Sequence, residues 1–261
     1  MLMYPTINPV ALQLGPLAIH WYGIMYLIGF TAVWLLARYR VKKYQLAWTS
    51  EQLSDIVFYG AMGAVLGGRL FYVFIYALPD FLAHPFILFH IWDGGMSFHG
   101  GLFGVIMAMW LYAKKIHRPF FSIMDFIAPF APVGLGAGRL GNFINGELWG
   151  RVTTMPWGMV YPDAGPLPRH PSELYEFLLE GVLLLIILWC YSKKPRPPMA
   201  VSALFLMAYG CFRFIGECFR EPDPQLGFIV GHSLTMGQLL SLPMILLGMV
   251  IWVVAHQRSL S

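Results

Sequence analysis

Seven apolar segments dominate this chain, at roughly 17–37, 54–77, 95–113, 120–140, 172–191, 199–219 and 234–255. Each is long enough to cross a hydrocarbon layer. Only 11% of residues are charged and 58% are hydrophobic, with mean hydropathy +0.63. Soluble domains carry about 25% charged residues. A water-exposed surface could not accommodate so much apolar area, so the bilayer is the solvent, and backbone polar groups there must be satisfied within helices. The expected fold class is therefore all-α: a polytopic integral membrane protein with about seven transmembrane helices, residues 1–261 forming one membrane domain.

The charges that remain orient the spans. Arg38, Arg40, Lys42 and Lys43 follow the first segment; Lys114, Lys115 and Arg118 separate the third and fourth; Lys193, Lys194 and Arg196 separate the fifth and sixth; Arg258 follows the seventh. All six lysines then lie on one side of the membrane. By the positive-inside rule that side is cytoplasmic, which puts the N-terminus outside and the C-terminus inside. The net charge of +4 and pI near 9.0 are accounted for by topology. No nucleic acid partner is expected, because no aromatic-basic groove pattern accompanies the charge. Met1 to Pro16 lacks a basic n-region and a cleavage site, so no removable signal peptide is expected.

The outer connections differ in character. Residues 78–94, with Asp80, Asp93 and several aromatics, suit a short interfacial arm. Residues 141–171, rich in Gly, Pro and Trp, suit a small external cap. Arg220-Glu221-Pro222-Asp223-Pro224 reads as a turn. Gly63/Gly67, Gly100/Gly104 and Gly134/Gly138 have the spacing of close helix contacts, and Pro129, Pro132 and Pro243 the capacity to kink spans four and seven. Cys190, Cys211 and Cys218 form no Cys-x-x-Cys and read as buried small apolar residues. No internal repeat of the kind built into many transporters is visible.

With the orientation assigned, ionisable residues on five spans fall at one outer level. Arg69 is in span two, His99 in span three, Arg139 in span four, Glu173, Glu176 and Glu180 in span five, and Arg213 with Glu217 in span six. Asp125 is the exception, near the inner end of span four. Intramembrane ionisable groups are costly and line polar cavities, so one outward-facing cavity accounts for the group economically. Bland readings stand beside this. Arg213 and Glu217, four apart on a helix, are placed to neutralise each other. Arg69 reads as a structural cation paired to a span-five glutamate. His99 either packs or acts, and its glycine-rich surroundings favour action. Tyr22, Trp21, Trp149 and Trp157 suit the aromatic belt. His170-Pro171-Ser172-Glu173 looks like a helix start. Two outer arginines suit a phospholipid phosphate, which a guanidinium grips through two parallel hydrogen bonds. Gly-x-Ser-x-Gly, His-Glu-x-x-His and P-loop patterns are absent, and no cluster suggests a metal.

The densest polar run is Gly138-Arg139-Leu140-Gly141-Asn142-Phe143-Ile144-Asn145-Gly146-Glu147-Leu148-Trp149-Gly150. It resembles the signature of the prolipoprotein diacylglyceryl transferases, Gly-Arg-x-Gly-Asn-Phe-x-Asn-x-Glu-x-x-Gly, at every fixed position. The resemblance extends to Gly94-Gly95-Met96-Ser97-Phe98-His99-Gly100-Gly101 and to the seven-span hydropathy. It implies a transferase of the bacterial inner membrane that moves the diacylglyceryl group of phosphatidylglycerol onto the lipobox cysteine thiol of a prolipoprotein signal peptide, releasing glycerol phosphate, without a cofactor. On that reading Arg139, then Arg213, stabilise the phosphate, and His99 is the base or proton relay. Asn142, Asn145, Glu147 and Gly150 shape the substrate site, with Tyr22, Tyr209 and Glu217 in support. Another phospholipid headgroup enzyme fits the arginines as well. An anion transporter fits less well, since only Asp125 reaches the inner half.

Overall fold

The computed structural model describes residues 2–15, 17–90, 94–222, 227, 229 and 234–258. Its helices, in chain order, are α1 (Trp21–Tyr44), α2 (Ser50–Ile75), α3 (Leu78–Ala83), α4 (Phe98–Lys115), α5 (Phe120–Ile127), α6 (Ala131–Asn145), α7 (Ser172–Glu176), α8 (Leu184–Tyr191), α9 (Ala200–Glu217) and α10 (Met236–Gln257). A π-helical stretch, Phe177–Leu183, joins α7 to α8, so Ser172–Tyr191 runs as one span. Among the described residues, five helices are long and apolar enough to cross a membrane: Trp21–Tyr44, Ser50–Ile75, Ser172–Tyr191, Ala200–Glu217 and Met236–Gln257. Helices α5 and α6, bent 52° at a short break, make a sixth if taken together. The remaining expected segment, 95–113, is occupied by α4, which is 18 residues long and carries His99, Lys114 and Lys115 near its ends. The protein is thus an all-α membrane protein with five or six helices of spanning character.

Two short strand pairs accompany the helices. β1 (Leu2–Met3) pairs in parallel with β4 (Met159–Val160), and β2 (Val10–Leu14) pairs antiparallel with β3 (Leu17–His20). The chain divides into two compact units. The first comprises residues 1–33 and 125–261, the second residues 34–124.

In the first unit, α9 packs on α10, and α6 packs on the π-helical stretch. Gly136 and Gly181 allow the second contact: a Cβ on Gly181 would lie 2.9 Å from the Gly136 Cα. Ala128, Leu184, Leu188, Val201 and Tyr209 form an apolar core cluster. The α5–α6 break falls at Pro129, and Pro132 lies in the first turn of α6, where its missing N–H costs nothing. Pro243, expected to kink the last span, sits inside α10, which continues through it. Asp125 accepts the backbone N–H groups of Met199 (2.6 Å) and Ser202 (2.8 Å) and the Ser202 hydroxyl (2.6 Å). It caps the start of α9, where Met199 has φ 74° and no side-chain oxygen to offer.

The second unit is built on α2 against α4. Gly63, Gly67, Gly100 and Gly104 bring the two backbones together; a Cβ on Gly104 would fall 2.0 Å from the Gly63 carbonyl oxygen. Gly134 and Gly138 do not repeat this arrangement, since a Cβ on either would meet nothing within 4 Å. The tighter contact on α6 lies at Gly136, while Gly134 packs on Gly29 of α1, where a Cβ would lie 3.5 Å from the Gly134 Cα. Between α2 and α4, helix α3 and a 3-10 turn, Pro85–Phe89, occupy the expected arm. Leu82, Phe86 and Phe89 are exposed on it, as suits an interfacial segment. Asp93 of this arm, and Asp223 and Pro224 of the expected turn, lie outside the described residues. The cysteines differ from expectation: Cys190, Cys211 and Cys218 are free and exposed on the protein surface. Their spans present more apolar surface than the helix bundle covers, and a thiol tolerates lipid as well as it tolerates a core.

Candidate active site

Span five presents Glu173, Glu176 and Glu180, each at most 1% exposed. Spacings of three and four put them on one side of a helix, and the π-helical widening begins within this set. Such widenings recur at functional sites. Two of these carboxylates bind the arginines. The Arg139 Nε and Nη2 donate to Glu180 Oε2 at 3.2 and 3.1 Å, and its Nη1 lies 3.0 Å from Glu176 Oε2. Arg213 Nη1 donates to Glu176 Oε1 at 2.5 Å and lies 3.8 Å from Glu180 Oε1. Its Nη2 donates to Glu217. Glu176 thereby bridges Arg139 on α6 to Arg213 on α9. Glu217 also accepts the Thr235 hydroxyl at 2.6 Å, and Arg220 Nη1 is 3.7 Å away. Arg139, Arg213 and Arg220 balance Glu176, Glu180 and Glu217, which is how charges persist at this depth. The Arg139 side chain is still 15% exposed, so these carboxylates do not seal it completely.

The i,i+4 neutralisation of Arg213 by Glu217 is present, and Glu176 binds the same guanidinium. The sequence places Glu176 and Glu180 at the polar level without a binding role, and Thr235 carries no signal of its own. Two carboxylates four apart in an apolar span, with arginines on neighbouring spans, are the signal that could have found the first two.

After Arg139, helix α6 ends at Asn145 and the chain turns at Gly146, whose φ of +67° suits glycine. The turn brings Glu147 back over the helix end. Its Oε1 accepts Nδ2 hydrogens from Asn142 at 2.9 Å and Asn145 at 3.3 Å. Tyr22 lies against Gly141; a Cβ there would come within 2.8 Å of the Tyr22 ring. Tyr209 is buried, stacked on Phe205, with its ring in the apolar cluster. Gly150 is crowded by backbone. A Cβ would lie 2.5 Å from the His170 carbonyl oxygen and 2.6 Å from that of Phe219, so Gly150 contributes close approach.

The 146–171 segment is ordered by bridges of Gly150 with Arg220 and of Arg169 with Val152 and Met159. Ser172, where α7 starts as anticipated, donates to the Leu148 carbonyl at 3.0 Å. Tyr4, just after β1, donates to the Phe143 and Ile144 carbonyls at the end of α6 and stacks on Tyr161, which donates to Glu173 at 3.2 Å. Burial, with Glu173 nearby, raises both phenols above the usual tyrosine range, so they remain donors. Burial lowers the His170 pKa, and its Nδ1 faces the Tyr175 hydroxyl at 3.1 Å.

His99 belongs to the second unit, as the second residue of α4, and is exposed with its ring edge-on to Phe98. Arg69, also in that unit, is 4% exposed. Where a glutamate partner is expected for Arg69, carbonyls of its own unit satisfy the guanidinium. Its guanidinium donates to the carbonyls of Ile87, Leu88, Gly94 and Gly95, while Glu176 and Glu180 are taken by Arg139 and Arg213. A nearby loop supplies enough carbonyls to satisfy a guanidinium.

The family model for prolipoprotein diacylglyceryl transferase matches residues 9–254. A phosphatidylglycerol–prolipoprotein diacylglyceryl transferase of Legionella pneumophila (strain Lens) is 59% identical over 252 residues, covering 97% of this chain and 98% of the relative. One of the same name from Coxiella burnetii (strain RSA 331 / Henzerling II) is 60% identical over 248 residues, covering 95% of each.

Proposed function

We propose, for a chain that belongs to the prolipoprotein diacylglyceryl transferase family, transfer of the diacylglyceryl group of phosphatidylglycerol to the lipobox cysteine thiol in the signal peptide of a prolipoprotein. The substrate thiolate forms a C–S bond to the glyceryl carbon as the C–O bond to phosphate breaks. Glycerol phosphate leaves with the electron pair, and the thiol proton passes to a base. The observation that carries this reading is Arg139 within the Gly138–Gly150 run, anchored by two carboxylates with its side chain 15% exposed. Charge grows on the departing phosphate, and fixed guanidinium donors stabilise it most in the transition state. Arg213, tied to the same Glu176, is the second phosphate donor. Asn142, Asn145 and Glu147 form a hydrogen-bonded set that suits glycerol hydroxyls; Tyr22, Tyr209, Gly150 and Glu217 support the walls.

His99 is assigned as the base on chemical grounds. A free cysteine titrates near pH 8.5 and is about a few per cent thiolate at pH 7. An imidazole raises that fraction. The anion-transporter and alternative headgroup-enzyme readings have no support among these relatives. The orientation assigned from the lysines places the site toward the periplasm and the C-terminus in the cytoplasm.

The decisive assay incubates purified protein with labelled phosphatidylglycerol and a lipobox peptide. The peptide should gain one diacylglyceryl group, with glycerol phosphate released in equal amount. Peptide of unchanged mass after full incubation rejects the reaction. The orientation is checked in a cysteine-free background, where a cysteine at position 163 should react with an impermeant reagent from the periplasm and one at 193 should not. The reverse labelling rejects the outward-facing site.

A further inference from the structure

Arg69 is one of few buried cations among the described residues, and its partners are unusual in that they flank one connection. Nε donates to the Leu88 carbonyl at 3.3 Å and Nη2 to that of Ile87. Nη1 donates to Gly94 at 2.5 Å and Gly95 at 3.0 Å. A planar guanidinium presents its donors in a fixed fork, so four carbonyls from two chain segments are held in one geometry. The second segment leads directly into α4. Gly94 and Gly95 have φ of +81° and +75°, conformations open to glycine. A Cβ on Gly95 would also strike the Tyr72 ring at 2.4 Å. Two residues later the Ser97 N–H donates to the Gly68 carbonyl at 3.0 Å, and the Ser97 side chain caps α4. Gly68 and Arg69 are consecutive on α2, so one point of that helix fixes the whole entry to α4. His99 follows at the second helical position.

We infer that Arg69 is a positioning residue for His99: by clamping the Gly94-Gly95 carbonyls it sets where α4 begins and hence where the imidazole is held. The inference rests on the reading of His99 as the base. A side chain at the first turn of a helix moves with the helix start, and displacement of a reacting group by about 1 Å costs up to about a hundredfold in rate.

The test compares Arg69→Gln, Arg69→Lys, His99→Gln and the double variant Arg69→Gln/His99→Gln in the peptide transfer assay between pH 7 and pH 9. Arg69→Gln should purify monodisperse and lose between about tenfold and a hundredfold in kcat at pH 7, with KM for phosphatidylglycerol nearly unchanged. The loss should shrink toward pH 9, where the substrate thiol ionises unaided, as it should for His99→Gln. The double variant should be no worse than the poorer single one, because both changes remove one function. Arg69→Lys, with charge but no fork, should fall between wild type and Arg69→Gln. Amide hydrogen exchange over 94–101 should quicken in Arg69→Gln. Full turnover by Arg69→Gln overturns the inference, as does a pH-independent loss that multiplies with that of His99→Gln. If neither Arg69 variant inserts and purifies as a monodisperse protein, Arg69 is a folding residue and the positioning role is rejected. Should His99→Gln alone keep normal turnover at pH 7, the base assignment fails first and removes the ground for this role; a normal His99→Gln defect beside an active Arg69→Gln rejects the positioning role alone.

Discussion

Arg69 in the second unit and Arg139 in the first are both arginines in apolar helices, and they are satisfied in opposite ways. Arg69 is surrounded by neutral carbonyls of Ile87, Leu88, Gly94 and Gly95. Arg139 is held by the carboxylates of Glu176 and Glu180, which also hold Arg213. A cation bound by backbone carbonyls organises the chain that supplies them. Exchanging those partners for a ligand would mean unravelling the loop. A cation bound by carboxylates sits in a cluster whose positive and negative groups balance, and an incoming phosphate competes for the same N–H groups without disturbing any backbone. The first arrangement suits shaping a loop, the second suits binding an anion.

The sharpest way to break this contrast is Arg139→Ala. Removing a preorganised donor to developing charge costs about 3–4 kcal/mol, or a hundredfold or more in rate. Transfer should fall by at least that much, with Arg139→Lys severely impaired but less so, while both proteins remain inserted and monodisperse in detergent. Near-normal transfer by Arg139→Ala would show that the carboxylate-bound cluster is only structural. Next is Glu176→Gln, which keeps shape but removes the charge bridging Arg139 and Arg213. Losing a charged hydrogen-bond partner costs about 1.5–3 kcal/mol. The expected result is a lower unfolding temperature together with reduced turnover; unchanged values for both would mean the bridge carries no net energy.

A comparable effect on stability tests what holds the second unit. Gly104→Ala places a methyl where the Gly63 carbonyl oxygen is 2.0 Å away. The clash is with backbone that cannot swing aside, so overpacking should cost about 2–3 kcal/mol, the upper part of such penalties. Detergent unfolding should report it. If the helices separate without penalty, glycine packing is not what sets their distance. The smallest effect is expected from replacing Cys190, Cys211 and Cys218 with Ala together. All three are exposed and unbridged, and the nucleophile belongs to the substrate. Transfer should be close to wild type; abolished turnover in a folded variant, with a lipid–enzyme thioether accumulating in the wild type, would overturn direct transfer.

The apolar segments, their sparse charges and the glycine-rich run with Arg139, Asn142, Asn145 and Glu147 were legible in the sequence alone, because hydropathy and residue chemistry do not depend on partners. So were the face of Glu173, Glu176 and Glu180 and the i,i+4 relation of Arg213 to Glu217, which helical periodicity dictates. Partner choice was not legible. Several spans offer ionisable groups, and sequence spacing ranks pairs only within a helix. Tertiary packing decided that Glu176 joins α6 to α9 and that Arg69 turns to carbonyls instead. It also decided that Gly136, and not Gly134 or Gly138, is where α6 meets its neighbour at Gly181. Glu147 reaches Asn142 and Asn145 only because Gly146 reverses the chain in a left-handed conformation. The N-terminal segment reaches the end of α6 through Tyr4 across more than a hundred intervening residues. Such contacts follow from which surfaces fit and which donors find acceptors once the helices are packed, and no local pattern in the chain encodes that outcome.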